Sequence, residues 1–221
     1  IGGVLRQDDM LAVWPSAYPA DTILDVFTYA GAPATYNLAL GAGAGLSWES
    51  DDFSISANYL STNANNSTPG GEDFFLDTDC TNSGGIATDC AGSSGTVQIA
   101  YAPENWGLAA AYNYTSKNAG STYAGNGTPL ANVFTNNGNS SSVGLSAWWS
   151  PEEAGWFPSV SAGWGYNSIT NGDNTDVFRS ATTQSWYVGL QWADAFLKGN
   201  TLGMAVGQPT FVTVSYTHLT L

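Results

Sequence analysis

The most regular feature of the sequence is the alternation of apolar residues with small or polar residues along eight segments. In residues 38–49, for example, Leu, Ala and Trp at even positions alternate with Ala, Gly, Ser and Glu at odd positions. Successive side chains of a β-strand point to opposite faces of the sheet, so a period of two predicts strands. The predicted strands are residues 38–49, 52–59, 96–101, 106–115, 142–149, 159–167, 185–192 and 202–207.

The connections between these strands alternate in length. Short connections lie at residues 50–51, 103–105, 150–158 and 194–201, and long polar ones at 61–95, 116–141 and 168–183. Short turns at one end and long loops at the other predict an up-and-down antiparallel meander. A transmembrane β-barrel has this pattern, with strands of about 9–11 residues. A secreted β-sandwich also alternates and is the main alternative.

The composition of the two faces favours the barrel. The apolar face of the predicted strands carries no charge, and the other face consists mainly of Gly, Ser, Ala and Asn. Aromatic residues gather toward both strand ends, as they do at the two interfaces of a membrane. Eight strands closing alone would form an interior that side chains must fill, which these small residues cannot do. We therefore predict an all-β, up-and-down transmembrane β-barrel that is an incomplete fragment of a larger barrel.

Charge excludes one class of partner. Charged residues make up 10% of the chain, and 4 basic against 18 acidic residues give a net charge of −14. Such a chain repels nucleic acid, so no nucleic-acid partner is expected.

The sequence has no run of about 18 apolar residues, the length that a membrane-spanning helix needs. Because the chain starts at Ile1, we expect its N-terminus to be cut or processed.

Four blocks of sequence carry a resemblance to a known family. They are VLRQDDMLAVWPSAYPADTILDVFTYAGAP (residues 4–33), LGAGAGLSW (40–48), SSVGLSAWWS (141–150) and LGMAVGQP (202–209). Together they resemble the cyanobacterial major outer-membrane porins, which are known as iron-uptake porins and are related to OprB-type carbohydrate-selective porins. The resemblance implies an outer-membrane barrel of about sixteen strands, a homotrimer, and carriage of inorganic ions including iron, or of sugars. It also implies that peptidoglycan is bound only through an N-terminal segment that precedes this chain.

The end of the chain departs from that family. We expect residues 1–213 to form the partial barrel domain and residues 214–221 to be a non-native, adapter-like tail. The tail contains His218, the single histidine of the chain.

Catalysis is not expected. Without His218 no Ser-His-Asp relay, Cys-His pair or His-ligated zinc site can be assembled. Adjacent carboxylates on an extended chain point to opposite faces and do not form an acid–base pair. The acidic positions near Asp77 and Asp173 lack the Gly and terminal Glu of an EF-hand loop, so solvated loop tips are the preferred interpretation. No cofactor and no metal site is predicted.

Cys80 and Cys90 lie ten positions apart in a long loop rich in Gly, Ser and Asn. In an oxidising envelope we expect them to form a local disulfide.

Position along the strands identifies the predicted lining of a channel. These residues are Glu49, Asp52, Asn58, Gln98, Asn113, Asn167 and Gln191. Transport through such a channel requires a polar lining, a width limit and a charge bias. The acidic loops make the predicted mouth negative, which favours cations.

The predicted constriction is the segment 7–36, which is unusually apolar for an exposed loop. If it folds inward, it brings four carboxylates near Arg6, namely Asp8, Asp9, Asp21 and Asp25. The alternative is that this segment contains two further strands or a packed helix, and the sequence does not decide between them.

The function expected from these features is passive diffusion of small hydrophilic solutes and ions across the outer membrane. Its partners are the lipid bilayer and the diffusing solutes. The alternatives are a secreted carbohydrate-binding sandwich and a structural envelope barrel that conducts nothing.

Overall fold

The computed structural model describes residues 2–6, 40–62, 86, 91–116, 127–136, 138–153, 156–171 and 178–216. They form nine strands and one helix. The strands are β1 (Gly2–Arg6), β2 (Leu40–Ser50), β3 (Phe53–Thr62), β4 (Gly92–Tyr101), β5 (Trp106–Thr115), β6 (Asn139–Trp149), β7 (Ser159–Thr170), β8 (Ser180–Ala193) and β9 (Thr201–Tyr216). The helix, α1 (Pro129–Asn136), lies between β5 and β6.

The strands form one open antiparallel sheet in chain order, from β1 to β9. Each strand pairs with the one before it, so the predicted all-β, up-and-down meander is confirmed. The short connections, such as the two-residue turn at 51–52, all lie at one end of the sheet, which we call the short-turn end. The other end is called the long-loop end. Strand β9 continues through residues 214–216, so the structure pairs the start of the predicted tail with β8.

The sheet buries its small residues and exposes its large ones. On one face, the side chains of Ser94, Ser142 and Asn167 have no exposed surface. On the opposite face Leu145 is 48% exposed and Leu108 is 53% exposed. A sheet with one face in water normally shows the reverse, with apolar side chains buried and polar ones exposed. We call the two surfaces the small-residue face and the apolar face.

Tight turns at the short-turn end require unusual backbone angles. Asp51 in the β2–β3 turn has a φ of 50°, and Asp194 and Phe196 in the β8–β9 turn have φ values of 54° and 63°. Asp and Asn tolerate this left-handed region better than other non-glycine residues. The Asp194 side chain also accepts a hydrogen bond at Oδ1 from the backbone N–H of Gly199, at 2.6 Å, which closes the β8–β9 turn.

Helix α1 is the one helix in the described part of the chain, and it falls in a segment predicted to be a loop. Thr128 precedes it and accepts a hydrogen bond at Oγ1 from the N–H of Ala131 at 3.4 Å, as an N-cap does. Pro129 occupies the first helical position, where its missing N–H costs nothing. Phe134 of this helix packs with Ile169, Phe178, Ala181 and Val212, which places α1 against the small-residue face.

Candidate lipid-facing and channel-lining surfaces

The apolar face is a continuous band across strands β2–β9. One row of paired residues crosses it from Trp48 through Ile55, Ile99, Ala110, Leu145 and Trp164 to Trp186. Among the described residues, none of the Asp, Glu, Lys and Arg side chains lies within this band. An uncharged apolar surface of this extent is rare on water-soluble monomers, whose exposed apolar patches seldom exceed a few hundred Å².

The long-loop boundary of the band runs obliquely across the strands. On β5 the last apolar residue is Tyr114, whereas on β8 it is Trp186, which is followed by Gln184 toward the long-loop end. Trp186 is level with Ala110 of β5, so the boundary shifts by four residues between β5 and β8. Four residues correspond to about 13 Å along a strand, and three strand spacings to about 14 Å. A planar boundary with this slope implies strands tilted by about 45°.

The short-turn boundary has a similar slope. Its end members are Trp48 on β2 and Trp192 on β8. The row that contains Trp48 reaches β8 at Trp186, six residues before Trp192. That is about 20 Å of shift over six strand spacings of about 29 Å, or a tilt of about 35°. Strands of membrane barrels tilt by roughly 35–45°, so both boundaries fit strands that cross one flat slab.

The height of the band fits a bilayer. Trp106 and Tyr114 delimit it on β5, eight residues apart. This separation is about 27 Å along the strand and about 21 Å after correction for a 40° tilt. The outward apolar band of outer-membrane barrels is about 25 Å tall.

Aromatic residues mark both edges of the band. At the short-turn end Trp48 meets Phe53 edge to face, with ring centroids 6.1 Å apart, and Tyr101 lies 5.4 Å from Trp106. At the long-loop edge, the hydroxyls of two tyrosines form hydrogen bonds with the first serines beyond the band. Tyr59 pairs its hydroxyl with Ser93 Oγ at 2.9 Å, and the Tyr112 hydroxyl donates to Ser141 Oγ at 3.3 Å. Rings with an apolar body and a polar tip suit the interface between acyl chains and headgroups.

A groove with a volume of about 650 Å³ crosses the middle of the apolar face. Its floor lies where the side chains are smallest, at Ala110, Ala147 and Ala162, and larger residues such as Leu145 and Trp164 flank it. The groove is part of the apolar surface. Its polar lining residues are Tyr101, at the short-turn edge of that surface, and Ser146 and Tyr187, which belong to the opposite face.

The predicted lining residues fall in two groups. Asn58, Gln98, Asn113 and Asn167 lie on the small-residue face and are at least nine-tenths buried. The other three lie at the short-turn end, where Glu49 and Asp52 are exposed and Gln191 is half-buried. The structure therefore brings the first four to one face and separates them from the carboxylates at the end of the sheet.

Asn113 is the centre of a hydrogen-bond network on the small-residue face. Its Nδ2 donates to Ser94 Oγ at 3.1 Å and to Thr96 Oγ1 at 2.6 Å, and its Oδ1 accepts from Thr115 Oγ1 at 2.6 Å. Ser94 and Thr115 also share a hydrogen bond at 3.0 Å. Polar side chains are tolerated in this buried position because each finds a partner.

On β7 and β8 several buried polar atoms find no protein partner among the described residues. They are Ser161 Oγ, Asn167 Nδ2, Thr183 Oγ1 and Ser185 Oγ. Asn167 pairs with Thr183 across the two strands, and its own Oδ1 accepts from Ser142 Oγ at 3.0 Å. A buried polar atom without a partner costs about 1–3 kcal/mol unless water reaches it. This part of the small-residue face is therefore suited to hydration.

Charge lies only at the ends of the described sheet. All seven acidic side chains in the described ranges are at the short-turn end, with one lysine, Lys198, beside them. They are Glu49, Asp51, Asp52, Glu104, Glu152, Glu153 and Asp194. Arg179 lies at the long-loop end, immediately before β8. Between the two ends the described small-residue face is uncharged.

Helix α1 lies in a segment that the sequence pattern predicts to be a loop. The signals were present: Thr128 and Pro129 form a helix start, and the apolar residues from Leu130 to Phe134 follow helical spacing. The predicted constriction residues Asp8, Asp9, Asp21 and Asp25, the Arg6 side chain, and Cys80 and Cys90 lie outside the described residues.

No family model matches the sequence. The chain is 28% identical, over 198 residues, to an uncharacterized protein of Synechocystis sp., and the match covers 79% of this chain. The chain spans 33% of that protein's length. No helix in the described part of the chain has the length and hydropathy needed to cross a membrane.

Proposed function

We propose that this chain is part of an outer-membrane porin, a barrel of about sixteen strands through which small hydrophilic solutes and ions diffuse passively. One observation carries the proposal: the exposed face of the described sheet is an uncharged apolar band whose two edges cross the strands obliquely with similar slopes. A lipid slab imposes such edges on tilted strands, and water does not.

The opposite face supports a hydrated channel. Between its two ends, the described residues of this face carry hydroxyls and amides but no ionised groups, and some of its buried polar atoms are left for water to bind. The acidic residues at the short-turn end make that opening negative. A negative opening concentrates cations within a Debye length, about 8 Å at physiological salt, so the channel favours cations modestly. Iron, other inorganic ions and sugars remain candidate solutes on the ground of family resemblance alone.

A second candidate follows from the burial of the small-residue face. Asn113, Asn167 and Ser142 have no exposed surface, as expected for a barrel whose interior is filled. In that case the protein is a structural component of the outer membrane that conducts nothing.

Planar-bilayer recording of the full-length protein separates these possibilities. A porin inserts from detergent and produces discrete conductance steps, and in a salt gradient its reversal potential has the sign of cation preference. Insertion without conductance would establish the filled barrel instead. If the protein stays soluble and monomeric without detergent, the secreted carbohydrate-binding sandwich replaces both proposals.

A further inference from the structure

Helix α1 crosses the small-residue face at the long-loop end. Strand β5 ends at Thr115, yet Thr128 reaches β9, where its N–H donates to the Thr210 carbonyl at 2.8 Å. The helix then returns the chain to Asn139, where β6 begins next to β5. Eight helical residues span about 12 Å, close to the three strand spacings of about 14 Å between β6 and β9. The segment thus runs across β7 and β8.

The helix is fixed to the sheet along its length. Phe134 is 3% exposed and packs on Phe178, with ring centroids 4.6 Å apart. Ile169 and Ala181, which are side chains of the small-residue face, complete this cluster. Because apolar contacts hold the helix here, it is part of the wall of this face.

Glycines allow the close approach at both ends of the helix. A Cβ at Gly127 would lie 3.0 Å from the Thr210 carbonyl oxygen. A Cβ at Gly138 would lie 2.5 Å from Ile169 Cγ2 and 3.1 Å from the Thr170 carbonyl oxygen. The contact at Gly138 is too short for a real Cβ, and the one at Gly127 is tighter than most Cβ contacts, so the two ends of the segment lie directly on the strands.

The outward side of the helix is apolar and uncharged. Leu130 is 52% exposed and Val133 is 43% exposed, on the side turned away from Ala131 and Phe134. The sequence of the helix, PLANVFTN, contains no ionisable residue. Helix α1 therefore occupies space over β7–β9 and adds no charge there.

On the basis of the proposed function, we infer that α1 narrows the channel over β7–β9 and forms an uncharged part of its constriction. A helix with its side chains is about 10 Å wide, so it removes space that solutes would otherwise use. This constriction limits solutes by size, while ion preference comes from charges elsewhere. It is distinct from the acidic segment 7–36 predicted from the sequence.

A pair of opposite charges at Val133 tests the inference in the full-length protein by bilayer recording. If Val133 borders the ion path, Val133→Glu raises and Val133→Lys lowers the cation-to-anion permeability ratio. Each change is about two- to threefold for a charge about 7 Å from the ions, once screening by about 0.15 M salt is included. The matched control is the same pair at Ser168. This residue is next to Ile169 but points to the apolar face beyond its polar boundary, so the sheet separates it from the channel.

A second variant tests the bulk of the helix. Phe134→Ala weakens the attachment of α1 and is expected to raise single-channel conductance with no shift in reversal potential, because the helix is uncharged. Val133→Ala, on the exposed side, keeps that attachment and is the control for it.

The outcomes distinguish the two proposals. If the unsubstituted protein does not conduct, the porin proposal fails. If it conducts, and the Val133 pair shifts the permeability ratio no more than the Ser168 pair does, α1 lies off the ion path and the inference is wrong.

Discussion

A charge placed in the middle of the apolar face tests whether that face meets lipid. Leu145 lies midway along the band on β6, and its side chain is 48% exposed. On a water-covered surface Leu145→Arg would change the free energy of unfolding by no more than about 0.5 kcal/mol. At the midplane of a bilayer, arginine on the outside of a barrel destabilises by about 2–4 kcal/mol.

Ser168→Arg is the matched control for this substitution. Ser168 lies on the same face, four residues along β7 from the direct cross-strand partner of Leu145, Trp164. This offset is about 13 Å along the strand and lies beyond the polar boundary marked by Tyr166. Near the interface the cost of arginine falls to about 0–1 kcal/mol.

The assay is urea unfolding of the full-length protein folded into phosphatidylcholine vesicles, followed by tryptophan fluorescence. We expect Leu145→Arg to lower the free energy of unfolding by at least about 1 kcal/mol more than Ser168→Arg does. Equal effects of the two variants would refute the assignment of this face to lipid, since only a bilayer makes the cost depend on depth.

Three further predictions address other parts of the molecule. Gly43→Ala places a Cβ 2.3 Å from the Tyr59 carbonyl oxygen and is expected to lower the free energy of unfolding by about 1–3 kcal/mol. In the control, Gly95→Ala, the nearest neighbour of the new Cβ is 3.8 Å away, and the free energy of unfolding should change by less than about 0.5 kcal/mol. Equal effects in urea titrations would show that β2 and β3 are not so close. Asn113→Leu removes the hydrogen bonds of Asn113 with Thr96 and Thr115 inside the buried network and should cost about 1–3 kcal/mol. Tyr112→Phe loses a single exposed hydrogen bond and should cost under about 0.5 kcal/mol in the same titration. A small effect of Asn113→Leu would mean that the network does not stabilise the sheet. The double variant Glu152→Gln, Glu153→Gln removes two of the seven acidic groups at the short-turn end and should move the reversal potential toward zero at 0.1 M salt but not at 1 M, where the Debye length is about 3 Å. An equal shift at both salt concentrations would contradict a long-range origin of the cation preference.

The strands were predictable because their period is set by local geometry. Residues such as Leu145 and Ser146 alternate in chemistry along each strand, and the tight turn at Asp51 fixes the register of β2 against β3. Chain order then gives the meander without further information. The slope of the apolar band was not predictable, because it depends on the stagger between strands. The sequence alone does not specify which residue of β5 is level with which residue of β8.

The placement of the candidate lining was only partly predictable. Alternation along the strands predicts that Asn58, Gln98, Asn113 and Asn167 share one face of the sheet, as the structure shows, but their burial depends on what packs over that face, which no local pattern encodes. Helix α1 illustrates the difficulty. Its contacts with Ile169, Phe178 and Val212 join residues more than thirty positions apart, so its position on the sheet had no local signal even though its N-cap did.

Two neighbouring residues with opposite orientations provide the most direct test of the two surfaces. Spin labels at Leu145→Cys and Ser146→Cys, in a Cys80→Ser, Cys90→Ser background of the full-length protein in vesicles, report collisions with oxygen, which dissolves in lipid, and with a nickel chelate, which stays in water. We expect the label at 145 to collide with oxygen and not with nickel, and the label at 146 to show the higher nickel-to-oxygen ratio of the two. A label at 145 that is freely accessible to the nickel chelate would show that the apolar face does not lie in a membrane.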